Sequence, residues 1–244
     1  MFRIVSSAAA VVLCFTSHLL AAPGAVAKPA SQPTTSPWGA RQVLGGDPSQ
    51  PHVLLIGDSI LNGYHGQAAE LLRGKVNLDI FVTPKHVGGI GSDLKIILAE
   101  HRYDLIFFND IGLHAWQPGR IKEGQYEPLL RAHISHLREW APQAKLVFAT
   151  TTPILTRTKP FALDPEKNPI IIERNAIAVT VMAQEHVPVA DFYSAVAGSP
   201  ELSAGDAFHW TKPAYARLAR LAAEQITRQL HLPSPSTQPA APGK

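Results

Sequence analysis

Short apolar runs alternate along the chain with longer stretches in which apolar residues recur every three or four positions. A short run of Val, Ile, Leu and Phe is typical of a strand buried on both faces of a sheet, and the three-to-four spacing is typical of an amphipathic helix. The pattern predicts five strands, at Val53–Ile56, Val76–Val82, Asp104–Asn109, Lys145–Thr150 and Val187–Phe192.

Helices are predicted between these strands. Ala68–Arg73 is the body of a helix that begins near Tyr64, and a glycine-rich turn ending in Ser92 or Asp93 can cap the next helix. The remaining predicted helices, by residue number, are 94–101, 125–140, 170–185 and 213–230.

Strands that alternate with helices are joined by crossovers, and such a chain builds a parallel sheet with helices on both faces. We therefore predict an α/β fold, a flavodoxin-like three-layer α/β/α sandwich with a five-stranded parallel sheet. Pro188 cannot donate a ladder hydrogen bond, so it favours an edge position for the last strand.

The two ends of the chain differ from its middle. Arg3 precedes an apolar run, Ile4–Phe15, and Ala25-Val26-Ala27 offers the small residues that a signal peptidase needs. The run is too short to span a bilayer comfortably, so we predict export without stable membrane insertion. The expected organisation is a signal peptide over residues 1–27 cleaved after Ala27, a Pro/Ser/Thr-rich linker over 28–49, one folded domain over 50–232 and a disordered tail over 233–244.

Composition narrows the chemistry. The chain's one cysteine, Cys14, falls in the predicted signal peptide, so the mature protein would have neither a disulfide nor a cysteine nucleophile. Loss of Arg3 takes the formal charge from +3 to +2, and the chain has no dense basic run. Nucleic acid is therefore not an expected partner.

Gly57-Asp58-Ser59 follows the first predicted strand directly. Ligands of open α/β sheets bind at the carboxyl ends of the strands, where a hydroxyl can be presented as a nucleophile. The hydroxyl needs a base, and Asp206-Ala207-Phe208-His209 offers an imidazole whose Nδ1 a carboxylate can hold. Taken separately, the first motif also fits a plain turn, and the second fits an aspartate that caps the next helix.

An acyl-transfer site also needs donors for an oxyanion. The turn Gly88–Gly91 ends the second strand, where glycine allows the backbone to approach a ligand, although a tight helix entry explains it equally well. Asn109 ends the third strand, and its side-chain amide could be a further donor.

This set of residues resembles the SGNH/GDSL hydrolase family over roughly residues 50–230. The matching blocks are Gly57-Asp58-Ser59, Gly89 in its glycine-rich turn, and Asp206 to Thr211. Between the glycine-rich turn and Asp206 the family has a further block, Gly-x-Asn-Asp, from which this chain departs. Here Phe108–His114 instead resembles a bacterial branch of the family that carries Asn-x-Gly-Leu-His. That branch also has a later Thr-Thr-Pro, which is Thr151-Thr152-Pro153 in this chain.

The resemblance implies the SGNH hydrolase fold and ester hydrolysis through an acyl-serine, with no metal or organic cofactor. Ser59 would be the nucleophile, His209 the base and then the acid, and Asp206 the residue that orients His209. The N–H groups of Ser59 and Gly89 with the Asn109 amide would bind the oxyanion, His114 being the alternative donor. Asp58 and Trp210, beside the nucleophile and the base, are candidates for substrate contact.

Export and the resemblance together lead us to expect an esterase that removes short acyl groups, such as acetyl, from carbohydrates or other small esters. The alternatives are a lipase- or thioesterase-like enzyme, an acyltransferase, and a non-catalytic carbohydrate- or surface-binding module on the same scaffold. His133 and His136 have a metal-compatible spacing without an evident third ligand, and the basic stretch Arg157–Lys159 is expected to be a solvated loop.

Overall fold

Strand β2, His52–Gly57, lies inside the sheet, with hydrogen-bonded neighbours on both sides. The computed structural model describes residues 39–82, 90–109 and 121–233. Val53 and Leu55 face one helical layer, whereas Leu54 and Ile56 face the other, and all four are fully buried. A strand that alternates between two apolar layers must be apolar at every position, which is why the run is unbroken.

Strands and helices alternate from His52 to Ala197 along the described residues. The strands are β1 (Gly39–Leu44), β2 (His52–Gly57), β3 (Asn77–Val82), β4 (Leu105–Phe108), β5 (Lys145–Ala149) and β6 (Val189–Ala190). The helices are α1 (Ser59–Leu72), α2 (Ile90–Glu100), α3 (Tyr126–Trp140), α4 (Asn168–Gln184), α5 (Phe192–Ala197) and α6 (Lys212–Gln229), with a single 3₁₀ turn at Pro200–Leu202.

The sheet has the order β1-β3-β2-β4-β5-β6. Strands β2 to β6 are parallel and, counted from β2, follow the 2-1-3-4-5 order of flavodoxin-like folds. Helices α1, α5 and α6 cover one face, and α2, α3 and α4 cover the other. The predicted three-layer α/β/α class is confirmed, and β6, which Pro188 precedes, is an edge strand as expected.

The sheet has one strand more than the prediction. Strand β1 pairs antiparallel with β3 at the other edge, so the sheet is not parallel throughout. Gly39–Leu44 falls within the predicted linker over 28–49, and this part of the linker is therefore a strand of the sheet. An edge strand is held mainly by its backbone ladder on one side, so its side chains need not follow a strong apolar pattern.

Several predicted segments lie outside the described residues: the signal peptide, the tail beyond residue 233, the turn through Gly89, and the segment that contains His114. Within the described ranges, no helix combines the length and the apolar character needed to cross a membrane.

Candidate active site

Ser59 is the first residue of α1 and follows β2 with only Asp58 between them. Asp58 caps the helix, since its Oδ1 accepts a hydrogen bond of 2.8 Å from the Ile60 N–H. A side chain at Gly57 would bring its Cβ within 2.9 Å of the Leu61 Cβ, so the turn requires glycine. The prediction that this helix begins near Tyr64 is wrong, because Asp58 is an N-cap and not only a turn residue.

A second loop, between the 3₁₀ turn and α6, carries Asp206 and His209. Asp206 Oδ1 accepts hydrogen bonds from the N–H groups of Phe208 and His209, at 3.0 and 2.8 Å. Ala207 has φ +79°, a left-handed conformation that is strained for a residue with a Cβ. The Leu155 N–H holds this peptide by donating to the Ala207 carbonyl at 3.0 Å.

The two loops meet at the carboxyl edge of the sheet. The Ser59 Oγ lies 2.8 Å from His209 Nε2, and His209 Nδ1 lies 2.5 Å from Asp206 Oδ2. Because a carboxylate can only accept, Nδ1 carries the proton and Nε2 is left to accept from the serine hydroxyl. The structure thus brings together all three residues that the sequence singled out for catalysis.

The Asp206 carboxylate is strongly stabilised in its ionised form. Partial burial opposes ionisation, but the N–H and the ring of His209 and the Phe208 N–H outweigh it and lower the pKa of Asp206 to about 2. A fixed negative charge beside Nδ1 favours the imidazolium that forms when Nε2 takes a proton.

A pocket of about 190 Å³ opens beside Ser59. Its wall comes from the ends of β4 and β5, the start of α1 and the loop of His209. Among the described residues it is lined by Asp58, Ser59, Ile60, Asn109, Thr151, Thr152, Pro153, Ile154, Phe208 and His209.

Comparison with solved structures gives consistent matches over most of this chain. They include an acetylxylan esterase from Geobacillus stearothermophilus (13% identity, 77% of this chain, 97% of that chain, TM-score 0.57). A member of the lipolytic G-D-S-L family from Veillonella parvula matches at 16% identity, with a TM-score of 0.58, over 72% of this chain and 98% of that chain. A protein proposed to be an arylesterase from Agrobacterium tumefaciens matches at 18% identity, with a TM-score of 0.58, over 73% of this chain and 99% of that chain. The chain has the SGNH hydrolase fold. No family model matches the sequence, and no curated protein matches it significantly.

Within this SGNH hydrolase fold, Asn109 lines the pocket but does not aim its amide nitrogen freely into it. The Asn109 Nδ2 donates to the carbonyl oxygens of Ala149 and Thr150, at 3.0 and 3.3 Å. In this conformation Asn109 therefore ties the end of β4 to the pocket wall after β5. This engagement competes with the predicted oxyanion contact. The other side-chain candidate, His114, and the backbone donor Gly89 lie outside the described residues.

Asn175 is a site residue that sequence reasoning missed. Its Oδ1 accepts a hydrogen bond from the Thr151 N–H, and its Nδ2 donates one to the Thr151 carbonyl, both at 2.9 Å. The side chain thus satisfies both backbone groups of Thr151, as an adjacent strand would, and holds this part of the pocket wall in place. Asn175 is buried on the inner face of α4, together with Ile171 and Ala178. A polar residue on the buried face of an apolar helix was the available signal.

The two predicted substrate contacts have different outcomes. Asp58 lines the pocket, and desolvation raises the pKa of its carboxyl against the opposing effects of the Ile60 N–H and His209. Trp210 is buried in the core beneath α1 and α6, so its predicted substrate contact is wrong. Trp210 bridges to Ser203 in an extended segment, and successive side chains of such a segment point to opposite sides.

Asp206 should also affect stability at acid pH. Since folding lowers its pKa from 3.8 to about 2, the ionised carboxylate stabilises the fold above pH 3.8, and this contribution is lost as the pH falls toward 2. We expect Asp206→Asn to lower the melting temperature at neutral pH and to differ less from wild type as the pH approaches 2. Thermal melts of both proteins across this range measure the difference, and a gap that stays constant would contradict the assignment.

Proposed function

We propose that this protein is an exported serine esterase that removes short acyl groups, such as acetyl, from carbohydrate or other small esters through an acyl-serine intermediate. The observation that carries the proposal is the hydrogen-bonded series from Ser59 Oγ through His209 to Asp206, at 2.8 and 2.5 Å. A serine hydroxyl is a weak nucleophile until an adjacent base is positioned to take its proton.

In the first half-reaction, His209 Nε2 takes the Ser59 proton while Oγ attacks the ester carbonyl carbon. The carbonyl oxygen becomes an oxyanion next to the start of α1, where the helix dipole and the Ser59 N–H favour negative charge. Collapse of the tetrahedral intermediate breaks the bond to the alcohol, which leaves with the proton from His209.

In the second half-reaction, His209 takes a proton from water, and the resulting hydroxide adds to the acyl-serine. Collapse releases the carboxylic acid and returns the proton to Ser59 Oγ. Proton transfer by a positioned imidazole contributes about 10²–10⁴-fold to such a rate. Asp206 keeps its charge throughout and holds His209 in the required tautomer. Gly89 remains the predicted second backbone donor to the oxyanion.

The size and lining of the pocket favour a small acyl group. The described part of the pocket, about 190 Å³ in volume, has room for a short acyl group beside Ser59. Pro153 and Ile154 supply apolar surface, and Ile154 is 2% exposed, so its side chain is fixed by packing. The fold shared with an acetylxylan esterase supports a carbohydrate ester as substrate by analogy only.

A series of p-nitrophenyl esters from acetate to octanoate tests the proposal. We expect kcat/KM to be highest for the shortest acyl groups and to fall about tenfold or more by octanoate, because the longer chain has to displace packed side chains. A rate that rises with chain length would instead support the lipase- or thioesterase-like alternative. No turnover of any ester would support the binding-module alternative.

Export is the part of the proposal that depends on the N-terminal pattern. Arg3, the apolar run after it and Ala25-Val26-Ala27 support it. N-terminal sequencing of the protein recovered outside the cytoplasm should begin at Lys28. Recovery of the intact chain in the cytoplasm alone would contradict export.

A further inference from the structure

A basic hairpin stands beside the pocket and has no part in the reaction described above. Leu155 and Leu163 form an antiparallel bridge at its base. Above the bridge, the Thr156 N–H donates to the Ala162 carbonyl at 2.8 Å, and the Ala162 N–H donates to the Thr156 hydroxyl at 3.0 Å. The hairpin is therefore a closed, hydrogen-bonded unit with Arg157 and Lys159 exposed near its tip.

The hairpin is attached to the loop that carries His209. The hydrogen bond from Leu155 to Ala207 joins the base of the hairpin to that loop. Arg157 places its guanidinium carbon 5.9 Å from the centre of the Phe208 ring, and Phe208 lines the pocket next to His209. A guanidinium stacked on a ring keeps its N–H donors available at the ring's edge.

Lys159 continues the basic surface away from the pocket. Its Nζ lies 5.7 Å from the centre of the Phe161 ring, and both residues line a groove of about 970 Å³ together with Ala204 and Thr211, which flank the His209 loop. Glu201 lines the same groove. Both cations are thus supported by aromatic rings, one at the pocket and one in the adjoining groove.

Three carboxylates near the pocket and the hairpin have other partners, whereas Glu201 faces the groove that Lys159 also lines. Asp206 is paired with His209, and Asp164, in the segment that follows the hairpin, is paired with Lys167 at 3.1 Å. Asp58 is directed at the start of α1, where it accepts from Ile60. In the parts of the chain that the structure describes, neither Arg157 nor Lys159 forms an ion pair, and both side chains are exposed.

We propose that Arg157, assisted by Lys159, binds a carboxylate on the alcohol side of the ester, so that the preferred substrates are esters of acidic alcohols, such as hydroxy acids or carboxylate-bearing sugars. This inference rests on the proposed esterase function and specifies its substrate class. The apolar surface of Pro153 and Ile154 suits the acyl group, and the side of the pocket at Phe208, where Arg157 packs, suits the alcohol. The guanidinium fork matches the two oxygens of a carboxylate.

Two acetate esters of the same shape test the proposal: 4-acetoxybenzoate, which is anionic, and 4-acetoxybenzamide, which is neutral. The readout is kcat/KM for the anionic ester divided by kcat/KM for the neutral ester. A general loss of activity lowers both values equally and leaves this ratio unchanged. We expect Arg157→Gln to lower the ratio roughly fivefold, the range of a partly exposed ion pair, and Lys159→Gln to lower it less. Added salt should lower the wild-type ratio as well.

Arg102→Gln is the matched control. Arg102 is an exposed cation just before β4, so it lies at the amino ends of the strands, whereas the pocket lies at their carboxyl ends. It should leave the ratio unchanged. A ratio that Arg157→Gln does not alter, or that Arg102→Gln lowers equally, would overturn the anion site while wild-type turnover of the neutral ester still supported the esterase. No turnover of either ester would contradict the esterase function and, with it, the anion site.

Discussion

Replacement of Ser59 or His209 by alanine should lower kcat/KM for p-nitrophenyl acetate by about a thousandfold or more. Ser59→Ala removes the oxygen that attacks the ester, and His209→Ala removes the base that lies 2.8 Å from it. Because each residue is ineffective without the other, the double variant should lose little more than either single variant. Steady-state rates of the three variants measure this non-additivity.

The control for these variants is Ser135→Ala. Ser135 is an exposed serine on α3 that does not line the pocket. It should keep wild-type activity, and circular dichroism should show that all the variants are folded. Retention of more than about a tenth of the activity by Ser59→Ala, with the fold intact, would show that another group performs the attack.

Gly63→Ala should destabilise the protein and slow the reaction together. A Cβ at Gly63 would lie 2.1 to 2.5 Å from three ring carbons of Tyr215, so the buried ring has to move. Overpacking of this kind costs about 1–3 kcal/mol, which lowers the melting temperature of a domain of this size by roughly 5 °C. The Tyr215 hydroxyl accepts from the Trp210 N–H at 3.4 Å, so a displaced ring also disturbs the residue that follows His209.

Gly66→Ala supplies the comparison on the same helix. A Cβ at Gly66 meets nothing within 4 Å, so this change should only reduce the backbone entropy of the unfolded chain and stabilise α1 by about 0.5–1 kcal/mol. Melting curves and kcat of the two variants measure the contrast. Equal melting temperatures would mean that α1 and α6 tolerate the extra methyl group, and would contradict the packing described for Gly63 and Tyr215.

The interior of the fold was predictable because burial on two faces leaves an unambiguous pattern. The runs at Leu54 and Phe107 are apolar throughout because helices cover both sides of the sheet. Strand β1 was missed because an edge strand can form on the backbone of its neighbour with few buried side chains. The start of α1 was misplaced because Asp58 can serve equally in a turn or as an N-cap.

Parts of the site were predictable for a different reason. Ser59 follows β2, and His209 lies in a loop that comes after the last parallel strand. A parallel topology brings both to the carboxyl ends of the strands, and the 2.8 Å between Ser59 Oγ and His209 Nε2 agrees with that argument. Local backbone pairing determines which way the Trp210 side chain points and which hydrogen bonds Asn109 and Asn175 form. The types of the neighbouring residues do not determine this pairing. The place of Arg157 is likewise set by a contact between two separate loops, since its guanidinium packs on the Phe208 ring.

Covalent labelling by a fluorophosphonate would identify the nucleophile itself. Such a reagent reacts with a serine that a neighbouring base activates, and it leaves a phosphonyl group on the attacking oxygen. We predict one adduct per chain, located by peptide mass spectrometry on Ser59, absent from Ser59→Ala and formed about a hundredfold more slowly in His209→Ala. An adduct on a different residue, or an equal labelling rate without His209, would contradict the assignment of Ser59 and His209 as nucleophile and base.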